Sequence, residues 1–275
     1  MIITDDYIIP SDKQMDILEL VYKFRFINRK QIQYLMGHKD ARRINAWLKD
    51  LVEHKYLGRI YSHKLLENTK PAIYYLANEG IGWVRVNHYE DEPYKVKRFY
   101  QDKHASERFI NHCISLCDLY IKYQELAKKN KGVCLIGTST ELWYEEELKN
   151  IRPDACIEVQ PEDGDDIDYK APPSFLLELI EQYVPMYALR YKIDRYIAFK
   201  SETEAWDIYA TEDLKSIHIR MVLPDQKKLN RIKKYIQRRL NESYDVDGLT
   251  FFLTTNQQVK EKGLTDGLWQ EVKEE

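Results

Sequence analysis

Close cysteine pairs are missing from this chain of 275 residues. Its cysteines are Cys113, Cys117, Cys134 and Cys156, and no two form a CxxC unit. That spacing argues against a disulfide scaffold or a zinc ribbon and fits a reduced interior in the cytoplasm. Cys113 and Cys117 lie four residues apart, a spacing that suits packing on one helix face better than metal ligation. No secretory leader and no long apolar run is seen, so no membrane association is expected. Gly-rich phosphate loops of the P-loop or dinucleotide type are lacking, and no Ser/His/Asp set has supporting spacing. ATPase, dehydrogenase and serine hydrolase chemistry are therefore poor readings. A basic excess is lacking too. The formal charge is -3, which excludes a nonspecific coat for nucleic acid.

The charge that is present comes in blocks. Between Asn28 and Lys64, nine basic residues stand against three acidic ones; between Lys227 and Leu240, seven stand against none. From Thr140 to Glu181 the sign reverses, with thirteen acids against three bases. Such alternation suits a protein that meets phosphate in some places and avoids it, or holds metal, in another. Tyrosine is abundant at 21 copies, enriching the surface in hydrogen-bonding aromatic rings without naming a ligand.

The first ninety residues predict three helices. "SDKQMDILELVYKF" starts at a capping Ser11, and "INRKQIQYLMG" starts at Asn28 and stops at Gly37. In "KDARRINAWLKDLVEHKYL", Ile44, Trp47, Leu48 and Leu51 share one side, whereas Lys39, Arg42, Arg43, Asn45 and Lys49 share the other. A helix of this kind can bury one face and offer the other to a DNA major groove, arginine reading guanine and lysine positioning phosphate. "YLGRIYSHKLLENTKPAIYYLANEGIGWV" reads as a strand, a polar turn from Ser62 to Lys70 and a returning strand, with Arg59, His63, Lys64 and Lys70 along the hairpin. Three helices and such a hairpin predict a winged helix-turn-helix over residues 1–92. The aperiodic "VNHYEDEPYKVKRFY" serves as the linker, and the boundary falls near Pro93.

Residues 93–275 predict a layered α/β domain with a mixed sheet. A long helix runs through "DKHASERFINHCISLCDLYIKYQELAKKN", with His112 on its apolar side as a packing residue. "VCLIGTSTELWY", "PDACIEV", "SFLLELI", "EAWDIYAT", "IHIRMVL" and "LTFFLTT" have strand character, and "YALRYKIDRYIAFK" and "KKLNRIKKYIQRRL" have helical character. The acidic "QPEDGDDIDYKAPP" reads as a solvated loop, and the tail "GLWQEVKEE" as an exposed or partner-binding extension.

Several of these stretches, "ILELVYKFRFINRKQIQYLMG", "RRINAWLKDLVEHKYLGR", "AIYYLANEGIGWV", "IRPDACIEV" and the pair "FLLELIEQY" and "LRYKIDRY", together resemble the replication-relaxation family of plasmids and other mobile elements. The resemblance implies a winged helix followed by a domain shaped like the PD-(D/E)xK nucleases, and a role in replication, relaxation or conjugative transfer of the element.

A nuclease centre of that shape needs an aspartate, then a glutamate and a lysine two positions apart, to hold Mg²⁺ and orient water. Asp154 and Glu178 match the carboxylates, but Ile180 stands where the lysine belongs, and also where the family often carries an aspartate. Glu158 shares the face of Asp154 and could serve as a third metal ligand, and Lys192 on the following helix could reach back to Glu178. Lys227, Lys228, Arg231, Lys234 and Arg238 form a basic helix face able to grip backbone phosphate. The preferred expectation is a noncatalytic accessory protein that needs no cofactor and binds double-stranded DNA, with a replication or relaxation protein, or a second copy of itself, as partner. A Mg²⁺-dependent DNA endonuclease using Asp154, Glu178 and Lys192, and a transcriptional repressor, stand as alternatives.

Overall fold

The computed structural model describes residues 9–61, 70–142, 148–161, 175–202, 217–243, 246–264 and 266–273. The chain divides into two compact units, Met1–Ile121 and Lys122–Glu275.

The first unit starts with helix α1 (Asp12–Phe24), followed by a two-residue strand β1 (Ile27–Asn28) and helices α2 (Arg29–Leu35) and α3 (Ala41–Glu53). Asn28 caps α2 by accepting from the Lys30 and Gln31 backbone N–H groups at 2.9 and 3.1 Å. The Gln31 side chain returns the favour at 2.9 Å, accepting from the Asn28 N–H. Gly37 follows the end of α2 with φ +68°, the left-handed conformation that suits a helix stop. Strands β2 (Leu57–Ile60) and β3 (Ile73–Leu76) pair antiparallel, and β1 pairs on the other side of β3. Ile17, Leu18, Val21, Phe26, Ile32, Ile44 and Leu48 fill the core beneath.

Two expectations fail here. The returning strand stops at Leu76 and the chain becomes helix α4 (Asn78–His88), because Gly80, Ile81 and Val84 fall on one helical face and are buried. The segment expected to be a linker is a 3-10 helix, Pro93–His104, that buries Val96, Phe99 and Asp102. Phe99 lies 5.8 Å from the Tyr22 ring, and buried Asp102 forms an ion pair with Arg25. These contacts carry the compact unit past Pro93 to Ile121, inside helix α5 (Glu107–Lys129). Cys113 and Cys117 are buried on α5, and burial pushes the Cys117 thiol well above its usual range, as expected of packing residues.

The second unit is built on a six-stranded sheet in the order β4 (Gly132–Thr138), β5 (Ala155–Pro161), β6 (Phe175–Leu179), β7 (Ile217–Leu223), β8 (Leu249–Thr255), β9 (Gln270–Val272). The β6, β7 and β8 strands run parallel; the other pairs are antiparallel. A short helix α6 (Ser139–Leu142) ends the β4 segment. Helices α7 (Met186–Glu202) and α8 (Gln226–Glu242) follow β6 and β7, and α9 (Asn256–Lys262) follows β8. Leu189, Ile193 and Ile197 of α7 and Leu229, Ile232 and Ile236 of α8 share one core with Ile219, Met221 and Phe251 of the sheet, so both helices cover the same sheet face. Tyr123 of α5 meets Phe175 at 5.2 Å, and every residue of β6 is buried. The tail expected to be an extension instead supplies β9, with Val272 set against Phe251 and buried. "EAWDIYAT" and most of the acidic loop lie outside the described residues.

Candidate functional site

The pairing of β5 with β6 sets Ala155 against Leu177, so the next pair of the register brings Asp154 opposite Glu178. Residues opposed in this way share a sheet face, here the face covered by α7. Asp154 is half-buried at the start of β5, and its Oδ2 accepts from the Leu179 N–H at 2.7 Å. Glu178 is fully buried in the middle of the sheet.

From α7, Lys192 places its ammonium 2.5 Å from Glu178 Oε2, and the Tyr196 hydroxyl donates to Oε1. Lys192 also reaches the Arg152 carbonyl at 3.3 Å. Lys192 and Tyr196 are four residues apart, so one helix face delivers both groups to one carboxylate. Burial pushes the Glu178 carboxyl up to about 7, with the Lys192 charge pulling the other way and Asp154 adding to the rise. Burial also works against the Lys192 charge, but the Glu178 and Asp154 carboxylates outweigh it and hold the ammonium's pKa above its ordinary value. Asp154, Glu178 and Lys192 thus meet, although they are separated by 24 and 14 residues in the sequence.

The remaining carboxylates are less favourably placed. Glu158 is half-buried four residues along β5, opposite Leu135, and Glu181 lies beyond the end of β6. Among the described residues no group of three His, Cys, Asp or Glu could hold a metal ion. Ile180, where a lysine or aspartate was sought, is buried in the same core as Leu189 and Ile193. Tyr196 was not foreseen as part of this cluster. Its position four residues after Lys192 was the available signal.

The first unit carries a different kind of surface. On α3, Ile44, Leu48 and Leu51 are buried, Trp47 is half-buried, and Arg42, Arg43, Asn45 and Lys49 are exposed, as is Lys39 just before the helix. Asp40 caps this helix through the Arg42 N–H at 2.8 Å and holds the Arg42 guanidinium in an ion pair at 2.7 Å. Arg43 lies 5.9 Å over the Trp47 ring, and Lys49 is 3.5 Å from Glu53. Between α3, the start of α2 and the β2–β3 hairpin runs a groove of about 640 Å³. Among the described residues, Arg29, Lys30, Lys49, Arg59 and Lys70 line it, with Glu53 as the acid. Arg29 and Lys30 were not among the expected contacts; the cap at Asn28 places them. His63 and Lys64 lie outside the described residues.

On α8, Lys227, Arg231, Lys234 and Arg238 are exposed. Lys228 has a structural task instead, donating to the carbonyls of Glu181, Gln182 and Val184 at 3.2, 3.0 and 2.8 Å.

The sequence model of the replication-relaxation family matches residues 18–213. The chain belongs to that family. The replication-relaxation match takes in α3, the hairpin, Asp154, Glu178 and Lys192, and stops short of the basic α8. Membership supports a role in replication or relaxation. No curated protein and no solved structure matches the chain. No helix among the described residues is long and apolar enough to cross a membrane.

Proposed function

We propose that this replication-relaxation protein is a DNA-binding accessory factor in the replication, relaxation or transfer of a mobile element. In this reading the first unit is a winged helix-turn-helix that grips double-stranded DNA, with α3 in the major groove and the β2–β3 hairpin against the backbone. The observation that carries the reading is the exposed basic face of α3 beside a groove that, among the described residues, is lined by five cations and one acid. Charge of this density offers phosphate contacts, and Arg43 and Asn45 have the donor geometry to read base edges. Arg43→Ala/Lys49→Ala is expected to weaken duplex binding about tenfold or more and to lower the slope of log affinity against log salt by about 1, the share of the phosphate contact from Lys49. Unchanged affinity and slope in salt-controlled titrations would overturn the assignment.

The second unit acts here as a nuclease-shaped scaffold that organises DNA or a replication partner. The arrangement does not fit magnesium, which keeps several waters and binds through accessible carboxylate oxygens. Glu178 is sealed in the core, Lys192 and Tyr196 hold its two oxygens, and Asp154 directs one of its own to the Leu179 N–H. The endonuclease reading rests on the meeting of Lys192 with Glu178 beside Asp154. Magnesium-dependent cleavage of supercoiled DNA that is lost in both Asp154→Asn and Glu178→Gln would replace the scaffold reading with it.

A further inference from the structure

Three tyrosines at four-residue spacing stand out on the second unit. Tyr187 and Tyr191, on α7, and Tyr183, in the turn before it, are 76%, 65% and 46% exposed. Aromatic rings of this size are normally drawn inward, and the inward face of α7 is already filled by Leu189, Ile193, Tyr196, Ile197 and Phe199. The outward rings do nothing for the core.

Their neighbours are cationic. The inner faces of α7 and α8 sit on the same side of the sheet, so their outer faces form one continuous surface. The seam between them is closed by side chains. Arg190 of α7 and Arg238 of α8 lie over the Tyr235 ring at 5.3 and 5.2 Å, and the Tyr235 hydroxyl donates to Asp194 at 2.7 Å. Arg239 also holds Asp194, at 2.8 Å, which neutralises the acid nearest the middle of the surface. Lys227, Arg231, Lys234 and Arg238 run along the outer side of α8, spanning about 16 Å by helix geometry. Glu242 draws on Arg238 at 3.7 Å, at the far end of the row. Arg195 lies 5.7 Å over the Tyr191 ring and continues the tyrosine row in the same four-residue steps.

We propose that this α7–α8 surface binds single-stranded DNA, its bases stacking on Tyr187 and Tyr191 and its phosphates following the α8 cations. Stacking platforms flanked by a basic track are the general solution for binding strands without reading sequence, because every base offers a ring face. The two rings are separated by about 6 Å along the helix axis, so unpaired bases can reach them. A duplex keeps its ring faces inside the stack and cannot use them. DNA is the chosen strand because family membership places the protein in replication or relaxation. The site is separate from the α3 groove and does not depend on it.

The full-length chain is titrated with fluorescein-labelled oligothymidylate of about twenty nucleotides, and with an abasic oligonucleotide of equal phosphate number. Tyr187→Ala/Tyr191→Ala is expected to lose at least about tenfold in affinity for oligothymidylate, whereas Tyr187→Phe/Tyr191→Phe retains it. Arg231→Ala/Lys234→Ala lowers the salt slope by about 1.4, near the single-strand value for two phosphates. The abasic strand binds wild type as weakly as oligothymidylate binds the alanine pair. Equal binding of the abasic strand, or unchanged affinity in the alanine pair, overturns the proposal. Tighter binding of oligouridylate than of oligothymidylate overturns the choice of DNA. The tyrosines are exposed, so the variants keep their circular dichroism and melting behaviour, and any loss is read as binding. Duplex affinity is followed separately through the α3 variants, so failure of one reading is visible without the other.

Discussion

Replacing Lys192 by methionine removes one ammonium from the wall of a fully buried carboxylate and leaves the aliphatic stem in place. The Glu178 carboxyl already titrates near 7 instead of its ordinary 4.5 because burial disfavours the charged form. A rise of that size corresponds to about 3 kcal/mol working against the ionised state. Lys192, 2.5 Å from Oε2, is what keeps the rise from being larger. Breaking a buried pair by deleting one partner typically costs about 3–5 kcal/mol, provided the orphaned group stays charged.

Glu178 can escape that condition by taking up a proton. Its folded pKa exceeds its unfolded one, so between about pH 4.5 and 7 the native state binds more protons and wild-type stability falls as pH rises. Above 7 the carboxyl is ionised in both states and the curve flattens. In Lys192→Met the folded pKa moves higher still, and the decline continues past the wild-type plateau. The deficit of the variant is therefore expected to reach about 3 kcal/mol or more near pH 8.5, or roughly 1–2 M in urea midpoint, and to shrink to about 1 kcal/mol near pH 5.5. Adding Glu178→Gln to Lys192→Met removes the orphaned charge and restores most of the loss at the higher pH. Urea unfolding followed by circular dichroism at the two pH values provides the comparison. An equal deficit at both pH values, or no recovery in the double variant, would refute the claim that Lys192 is there to stabilise an ionised Glu178.

Two further sets of substitutions probe the first unit. Gly80→Ala on α4 would bring its new methyl to 2.2 Å from the Tyr56 carbonyl oxygen, whereas a methyl at Gly82 on the same helix meets nothing within 4 Å. Thermal melts should show Gly80→Ala destabilised by about 1–3 kcal/mol and Gly82→Ala unchanged or stabilised by up to about 1 kcal/mol. Asp102→Ala strands Arg25 beside Phe99 and Phe109 and is expected to cost about 3–5 kcal/mol, with Arg25→Met/Asp102→Ala costing less than Asp102→Ala alone. A double variant no more stable than the single one would count against a buried ion pair at this position.

Helices α1, α2 and α3 were legible because their signals are local. Asn28, Gly37 and the apolar stripe of α3 each act within a few residues. The 3-10 helix at Pro93 was hidden because Val96, Phe99 and Asp102 have no helical period of their own and are ordered by distant partners such as Tyr22 and Arg25. The tail failed for the same reason, since three residues of β9 become a strand only against β8. At the carboxylate cluster, Asp154 and Glu178 were readable from their strands, and Lys192 was a guess about reach that the geometry answers. Tyr196 went unnoticed because a tyrosine on an apolar helix face reads as packing, and here it packs and hydrogen-bonds at once.

In the scaffold reading proposed above, Ile180 narrows the routes by which descendants of this chain could acquire phosphodiester chemistry. An Ile180→Lys exchange would push an amine among Leu189, Ile193 and the β7 side chains instead of toward a substrate. A lineage heading that way would first have to unseal the pocket around Glu178 and accept a less stable intermediate, so the hydrophobic residue acts as a ratchet that holds the fold to its present use.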